Sequence, residues 1–285
     1  MDDLDFLVPP AKPSYDTGVA LKYFKASGSA MDVKAGKTIF AENEKSNPLF
    51  LQRDKMYFLV EGEVALTVNK RPVGVVRSGE IFGEMALISK MPRTATAMAK
   101  TDCRLYTLDS GQLHAALSTA PEFGLLLMSI MITRLRDSIA SLNAGGALAG
   151  HEALRDSEIF DKKMLDKLVD ELDDSARIRY PADKVIMQEG QTGVLMYVVL
   201  QGAVEIAVQN RVVGKIERGG MFGEMALITR GERVASAIAK TDCVLLAINR
   251  NVFLDLVGAN PKFAVSLLGA VGNRARFMAS LRAQG

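Results

Sequence analysis

The chain has 285 residues, 48% of them hydrophobic and 24% charged, with a formal net charge of +2. That is enough chain for two domains that each bury a core, and too apolar a composition for a disordered protein. The near balance of charge supplies no strong attraction to nucleic acid or to a membrane surface. With only Cys103, Cys243, His114 and His151, spaced far apart, neither a disulfide framework nor a metal-ligand spacing is expected.

Residues 1–29 read as an N-terminal extension. The opening "MDDLDFLVPP" is acidic where a signal peptide would be basic, and no apolar run of that kind follows. The most apolar stretch, "FGLLLMSIMI" from Phe123 to Ile132, is shorter than the roughly 20 residues that cross a bilayer. A cytoplasmic, reducing setting without membrane insertion is the expectation.

From there the chain is written twice. Gly83 maps onto Gly223, Arg93 onto Arg233 and Cys103 onto Cys243, and 20 of the 38 residues from 71 to 108 are identical to their counterparts without a gap. A spacing this long means a duplicated domain, not a solenoid. The expected units are 30–142 and 152–285, joined by the Gly-rich linker 143–151. Near "KSNPLFL" the first copy carries extra residues. Upstream of them, "TIFAEN" matches "VIMQEG", with Asn43 standing where the second copy has Gly190, at a turn where both residues tolerate positive φ.

Within each copy, short strands come first. "VALTV" and "VEIAV" are β-rich runs followed by polar turns; "ATAMAKT", "CRLYTLD", "ASAIAKT" and "CVLLAIN" supply more. Many short strands with Gly-rich turns predict a mainly β, α+β chain of two tandem jelly-roll barrels, each followed by helices. Cys103 and Cys243 open equivalent strands and are expected in the core. Asp109 or Ser110 can cap a helix over "GQLHAALSTA", and Pro121 suits the first turn of a second, to Leu142; Asn260-Pro261 repeats that signal. In the closing "NRARFMASLRAQG", Arg274, Arg276 and Arg282 are expected on a solvated helix face.

The most repeated stretch is "FGEMALISKMPRTA", from Phe82 to Ala95, answered by "FGEMALITRGERVA", from Phe222 to Ala235. A glycine lets backbone turn sharply toward a ligand, and a helix opening there presents unpaired N–H groups to phosphate. An arginine ten residues on adds a forked, permanently charged donor. A carboxylate beside an anion would be repelled unless it accepts from a neutral donor such as a sugar hydroxyl, so a ligand joining phosphate to ribose suits both.

This pattern resembles the phosphate-binding cassette of cyclic nucleotide-binding domains, as in the regulatory subunits of cAMP-dependent protein kinase and the catabolite activator proteins. The resemblance covers both copies and includes Gly62, Gly74 and Gly79. It implies that Glu84 and Glu224 take the ribose 2′-hydroxyl and that Arg93 and Arg233 take the cyclic phosphate. Amides around Gly83, Met85 and Ala86, and around Gly223, Met225 and Ala226, complete the grip, with Ala95 and Ala235 keeping the pocket open. cAMP is the implied ligand, and no cofactor or catalysis is.

Thr94 and Val234 follow the arginines. In the resembling family a hydroxyl at this place can reach the guanine amino group, which marks Thr94 as the residue that would admit cGMP at the first site. The plain alternative is that both are β-branched residues starting a strand. The first thirty residues hold no Arg-Arg-x-Ser or Arg-Arg-x-Ala run, and no helix-turn-helix follows the second cassette. A tandem sensor acting as regulatory subunit or adaptor on an unnamed effector protein is therefore expected, with homo-oligomerisation left open. A DNA-binding regulator using an unrecognised basic surface and a scaffold with empty pockets are the alternatives.

Overall fold

The computed structural model describes residues 15–45, 54–89, 91–144, 154–156 and 159–284. The expected linker, apart from Asn143 and Ala144, lies outside these residues, as do the extra residues near "KSNPLFL" from 46 onward and residues 1–14 of the extension.

The first copy opens with α1 (Thr17–Ser27), which falls in the expected extension and is capped by the Asp16 side chain. Strands β1 (Ser29–Val33), β2 (Thr38–Phe40), β3 (Lys55–Glu61), β4 (Glu63–Val68), β5 (Arg71–Arg77) and β6 (Ile81–Phe82) lead into the short helix α2 (Glu84–Ser89). Then come β7 (Thr96–Ala99), β8 (Cys103–Asp109), α3 (Ser110–Thr119) and α4 (Pro121–Ala144).

The second copy repeats this order after one added strand, β9. It has β9 (Leu154–Asp156), α5 (Lys162–Glu171), β10 (Arg177–Tyr180), β11 (Val185–Met187), β12 (Leu195–Gln201) and β13 (Val204–Val208). There follow β14 (Arg211–Ile216), β15 (Met221–Phe222), α6 (Glu224–Thr229), β16 (Ser236–Ala239), β17 (Cys243–Asn249), α7 (Arg250–Ala259) and α8 (Pro261–Gln284).

The sheets are β1-β8-β3-β6 with β2-β7-β4-β5, and β10-β17-β12-β15 with β11-β16-β13-β14-β9. All pairings are antiparallel except that β9 joins β14 in parallel. Each copy is thus a two-sheet jelly roll with helices, as the strand pattern predicts. In β3, Tyr57 and Leu59 face the interior between the sheets with Phe40, Phe82, Cys103 and Leu105. Met56 and Phe58 face the opposite side, where the helices pack. Period-two side-chain alternation with both faces apolar explains why the strand is buried on each side.

Local chemistry sets the element ends. Asp109 forms a reciprocal capping box with Gln112, and α4 and α8 both begin at their prolines. Asn43 and Gly190 both take positive φ, 64° and 80°. The β4–β5 and β13–β14 turns place Asn69-Lys70 and Gln209-Asn210 at positive φ, the backbone of a two-residue hairpin turn that follows sheet twist.

The copies are joined through their last helices. α4 packs along α8, and its apolar run, including Leu127, Met128 and Met131, belongs to a helical core shared by both copies. A side chain added at Gly124 would lie 3.8 Å from the Cβ of Ala264, the residue that is its own counterpart in the second copy. Contact between equivalent residues marks a pseudo-two-fold axis, the geometry of a self-complementary dimer interface written within one chain. The axis also carries each last helix onto the other copy: α8 packs on α2 and α4 on α6. Among the described residues no single helix is long and apolar enough to cross a membrane.

Backbone geometry separates two kinds of turn glycine in the second copy. Gly202 has φ of 89°, and an added Cβ would sit 2.3 Å from the Asp242 carbonyl; Gly190 has φ of 80° with nothing within 4 Å. Gly190→Ala should therefore lose only the roughly 1–2 kcal/mol of left-handed backbone, and Gly202→Ala more than about 3 kcal/mol because the hairpin must also shift. Urea denaturation of the two variants checks this; equal losses would contradict the close approach.

Candidate functional site

In both copies a two-residue strand, β6 or β15, ends at a glycine in left-handed backbone: Gly83 at φ 71° and Gly223 at φ 84°. The chain then turns directly into α2 or α6, whose first residues are Glu84 and Glu224. Glycine is needed here twice over. Besides the positive φ, an added Cβ would lie 3.0 Å from Arg93 Nη1 at Gly83, and 2.7 Å from Arg233 Nη1 at Gly223.

The two arginines are buried, at 4% and 7% exposure. Arg93 donates from Nη1 to the Gly83 carbonyl at 2.7 Å and from Nη2 to the Lys55 carbonyl at 2.9 Å. Arg233 does the same to Gly223 at 2.7 Å and Leu195 at 2.6 Å. These carbonyls fix the guanidinium plane without neutralising its charge, and a buried cation is costly unless an anion lies near it.

The surroundings differ between copies. Arg93 lies 4.2 Å over the Phe40 ring and has the Asp54 carboxylate at 4.0 Å. In the second copy Met187 and Val194 occupy the matching places. Burial pushes the Arg233 guanidinium below its usual pKa, in the direction that an incoming anion would reverse.

Glu84 and Glu224 are 0% and 1% exposed. Each has one oxygen held by an arginine from the last helix of its own copy. Arg134 of α4 donates from Nη1 to Glu84 Oε1 and from Nη2 to the Ile81 carbonyl, the latter at 2.6 Å. Arg274 of α8 donates to Glu224 Oε1 at 2.7 Å and also to the Met221 carbonyl. The other oxygen, Oε2, is buried without a hydrogen-bond partner in both copies.

Arg274 corrects one expectation. It does not lie on a solvated face: its side chain is 13% exposed and spans the Glu224 carboxylate and strand β15. Both arginines escaped the sequence reading of the site, although a signal existed. They stand 140 residues apart, the offset of the duplication itself, but in helices well downstream of the cassettes.

In the first copy Met85 is half-buried, Ala86 buried, Ala95 half-buried and Thr94 exposed. In the second, Gly223, Glu224, Met225, Ala226, Arg233, Val234 and Ala235 all line one cavity. Arg274 lines it too, and so do Leu135 and Ile139, which come from α4 of the first copy. A forked cation and a carboxylate oxygen lacking a donor, set at one end of an apolar cavity, can hold an anionic group and a hydroxyl of one ligand together.

The model of the cyclic nucleotide-binding domain matches residues 30–120 and 177–260. The cGMP-dependent protein kinase of Plasmodium berghei is 26% identical over 230 residues, covering 80% of this chain and 24% of that one. The cAMP-dependent protein kinase regulatory subunit of Pyricularia oryzae is 28% identical over 220 residues, covering 72% of this chain and 51% of that one. The chain therefore spans from about a quarter to about half the length of these relatives. The regulatory domain of Toxoplasma gondii protein kinase A, solved with cAMP, is 23% identical, with 94% of this chain and 90% of that chain covered at a TM-score of 0.32. A score this low does not establish a shared arrangement of the copies. With both matches falling on the two jelly rolls and together covering more than half of its length, the chain belongs to the cyclic nucleotide-binding domain family and carries the domain twice.

Proposed function

We propose that the chain is a cytoplasmic cyclic-nucleotide sensor that holds one cAMP in each of its units, 30–142 and 152–285, and acts on an effector protein as a regulatory subunit or adaptor rather than as an enzyme. The observation that carries this reading is the pair of half-satisfied carboxylates. Glu84 Oε2 and Glu224 Oε2 are buried without a donor, each in the cassette that also buries Arg93 or Arg233. Burial of such an oxygen is unfavourable unless a hydrogen-bond donor completes it, and a ligand hydroxyl is such a donor.

In this reading Glu84 and Glu224 accept from the ribose 2′-hydroxyl, and Arg93 and Arg233 hold the phosphate. The backbone after Gly83 and Gly223, through Met85-Ala86 and Met225-Ala226, supplies amides. Relatives named as cAMP- and as cGMP-dependent both occur, so base identity rests on this chain's own residues.

Occupancy is passed on by α4. Arg134 ties this helix to Glu84, and two residues later Arg136 donates to Thr229 Oγ1 and to the Glu232 carbonyl, both at 3.0 Å, in the cassette of the second copy. One helical turn thus grips both cassettes, so a shift of α4 at the first is transmitted to the second.

Arg93→Ala and Arg233→Ala should each remove mainly one site, at about 2–4 kcal/mol or roughly a thirty-fold loss or more. The fold should survive, and calorimetry with cAMP checks the count. A double variant that binds like the parent would show that the anchors are misassigned.

The copies should also differ in base preference. In competition experiments, the Arg233→Ala chain, which reports on Thr94, should tolerate cGMP better than the Arg93→Ala chain, which reports on Val234. One neutral hydrogen bond limits the difference to about tenfold. An equal cAMP-to-cGMP ratio in both chains would leave Thr94 as a strand residue only.

A further inference from the structure

One side chain from the stretch before α1 reaches the first cassette. Tyr15, next to the Asp16 cap of α1, sets its hydroxyl against the turn between β5 and β6. It donates to the Gly79 carbonyl at 3.1 Å and accepts from the Ile81 N–H at 2.9 Å. The turn lies close on α1, since a side chain added at Gly79 would meet Thr17 Cγ2 at 3.1 Å. Burial pushes the pKa of the Tyr15 hydroxyl up to about 12, so it keeps the proton that it donates.

Ile81 is held from both ends. Its carbonyl accepts from Arg134 Nη2 at 2.6 Å, and Nη1 of the same guanidinium holds Glu84 Oε1. β6 is two residues long and sits at the edge of its sheet, paired with β3 alone, so it has few ladder bonds of its own. Tyr15, Ile81, Arg134 and Glu84 form one run of hydrogen bonds. It ends at the carboxylate whose Oε2 is buried without a partner.

The second copy has no such hydroxyl. Phe160, next to the Asp161 cap of α5, stands where the first copy has Tyr15. It meets the equivalent turn with its backbone N–H, which donates to the Gly219 carbonyl at 3.0 Å, and its ring stacks on Phe263 at 5.3 Å. A phenyl ring offers no oxygen to the Met221 N–H, the counterpart of Ile81.

We propose that Tyr15 is a positioning residue for the first nucleotide site: its hydroxyl fixes the Ile81 peptide and, through Arg134, sets where Glu84 Oε2 stands. This rests on Glu84 as the acceptor of the ribose 2′-hydroxyl. Affinity at the first site then depends on the stretch before α1, and affinity at the second does not. Without the hydroxyl, the Ile81 N–H and the Gly79 carbonyl lose a partner, and the short strand is free to shift. A displaced carboxylate pairs less well with a ligand hydroxyl, because a site must hold its first contacts to within about half an ångström. Arg93 is anchored separately, on the Lys55 and Gly83 carbonyls, so the phosphate contact is spared.

The test uses the full-length Arg233→Ala chain, in which the first site reports alone, and compares cAMP with its 2′-deoxy analogue. Tyr15→Phe, which keeps the ring, should weaken cAMP by about fivefold, and should leave the deoxy compound within about twofold. The preference for the hydroxyl therefore shrinks. In the Arg93→Ala chain, Tyr15→Phe should leave cAMP at the second site within about twofold.

Equal weakening of both compounds would overturn the proposal, because Tyr15 would then support the pocket as a whole. So would first-site binding of cAMP that is indifferent to Tyr15→Phe, or an equal loss at the second site. A chain with Tyr15 intact that binds neither compound, or binds both alike, would instead overturn the reading of Glu84 on which the proposal stands.

Discussion

A carboxylate sealed from water and given a partner for only one of its two oxygens is the constraint around which each copy is arranged. To bury Glu84, the chain must end β6 early, turn through left-handed backbone at Gly83 and open a helix at once. It must also send Arg134 down from a helix fifty residues later to hold Oε1. Glu224, Gly223 and Arg274 repeat each step. Buried ion pairs contribute little net stability, because desolvation offsets the attraction, but breaking one leaves a costly unpaired charge. The pair is therefore better understood as a fixed acceptor than as a staple.

The same pair ties the binding cassettes to the helices that join the copies. α4 and α8 meet at equivalent residues, so the duplicated chain behaves as a dimer interface closed on itself. Symmetry of backbone is not symmetry of sites. The first copy backs its arginine with Phe40 and Asp54; the second has Met187 and Val194 there but lies beneath Leu135 and Ile139. The surroundings of the arginine differ between the copies, while the glycine and glutamate that open the cassette helix and the core cysteines stay alike. Any coupling transmitted by a shared helix is reciprocal.

Local signals in the sequence carried far. The duplication, the jelly-roll class, the cap at Asp109, the prolines opening α4 and α8, and the positive φ shared by Asn43 and Gly190 all follow from short-range chemistry, and the structure has them. Cys103 and Cys243 are buried, as residues of their type at the start of inner strands should be. Arg134 and Arg274 were illegible for a physical reason: an arginine in a helix looks solvated until tertiary packing brings a buried carboxylate beneath it. What covers "FGLLLMSIMI" is left open by the sequence on similar grounds. Helical periodicity shows that a face is apolar, but not whether a barrel or the other copy covers it.

The central claim is that the free oxygen of each buried glutamate awaits a ribose hydroxyl. Calorimetric titration of the intact chain with cAMP and with its 2′-deoxy analogue tests it most directly, because the two ligands differ by that hydroxyl alone. The account predicts two cAMP bound per chain and a loss of tenfold or more at both sites for the deoxy compound, since a site built to pair a hydroxyl rejects a ligand lacking it. Equal affinity for the two compounds, or no heat with cAMP, would contradict it.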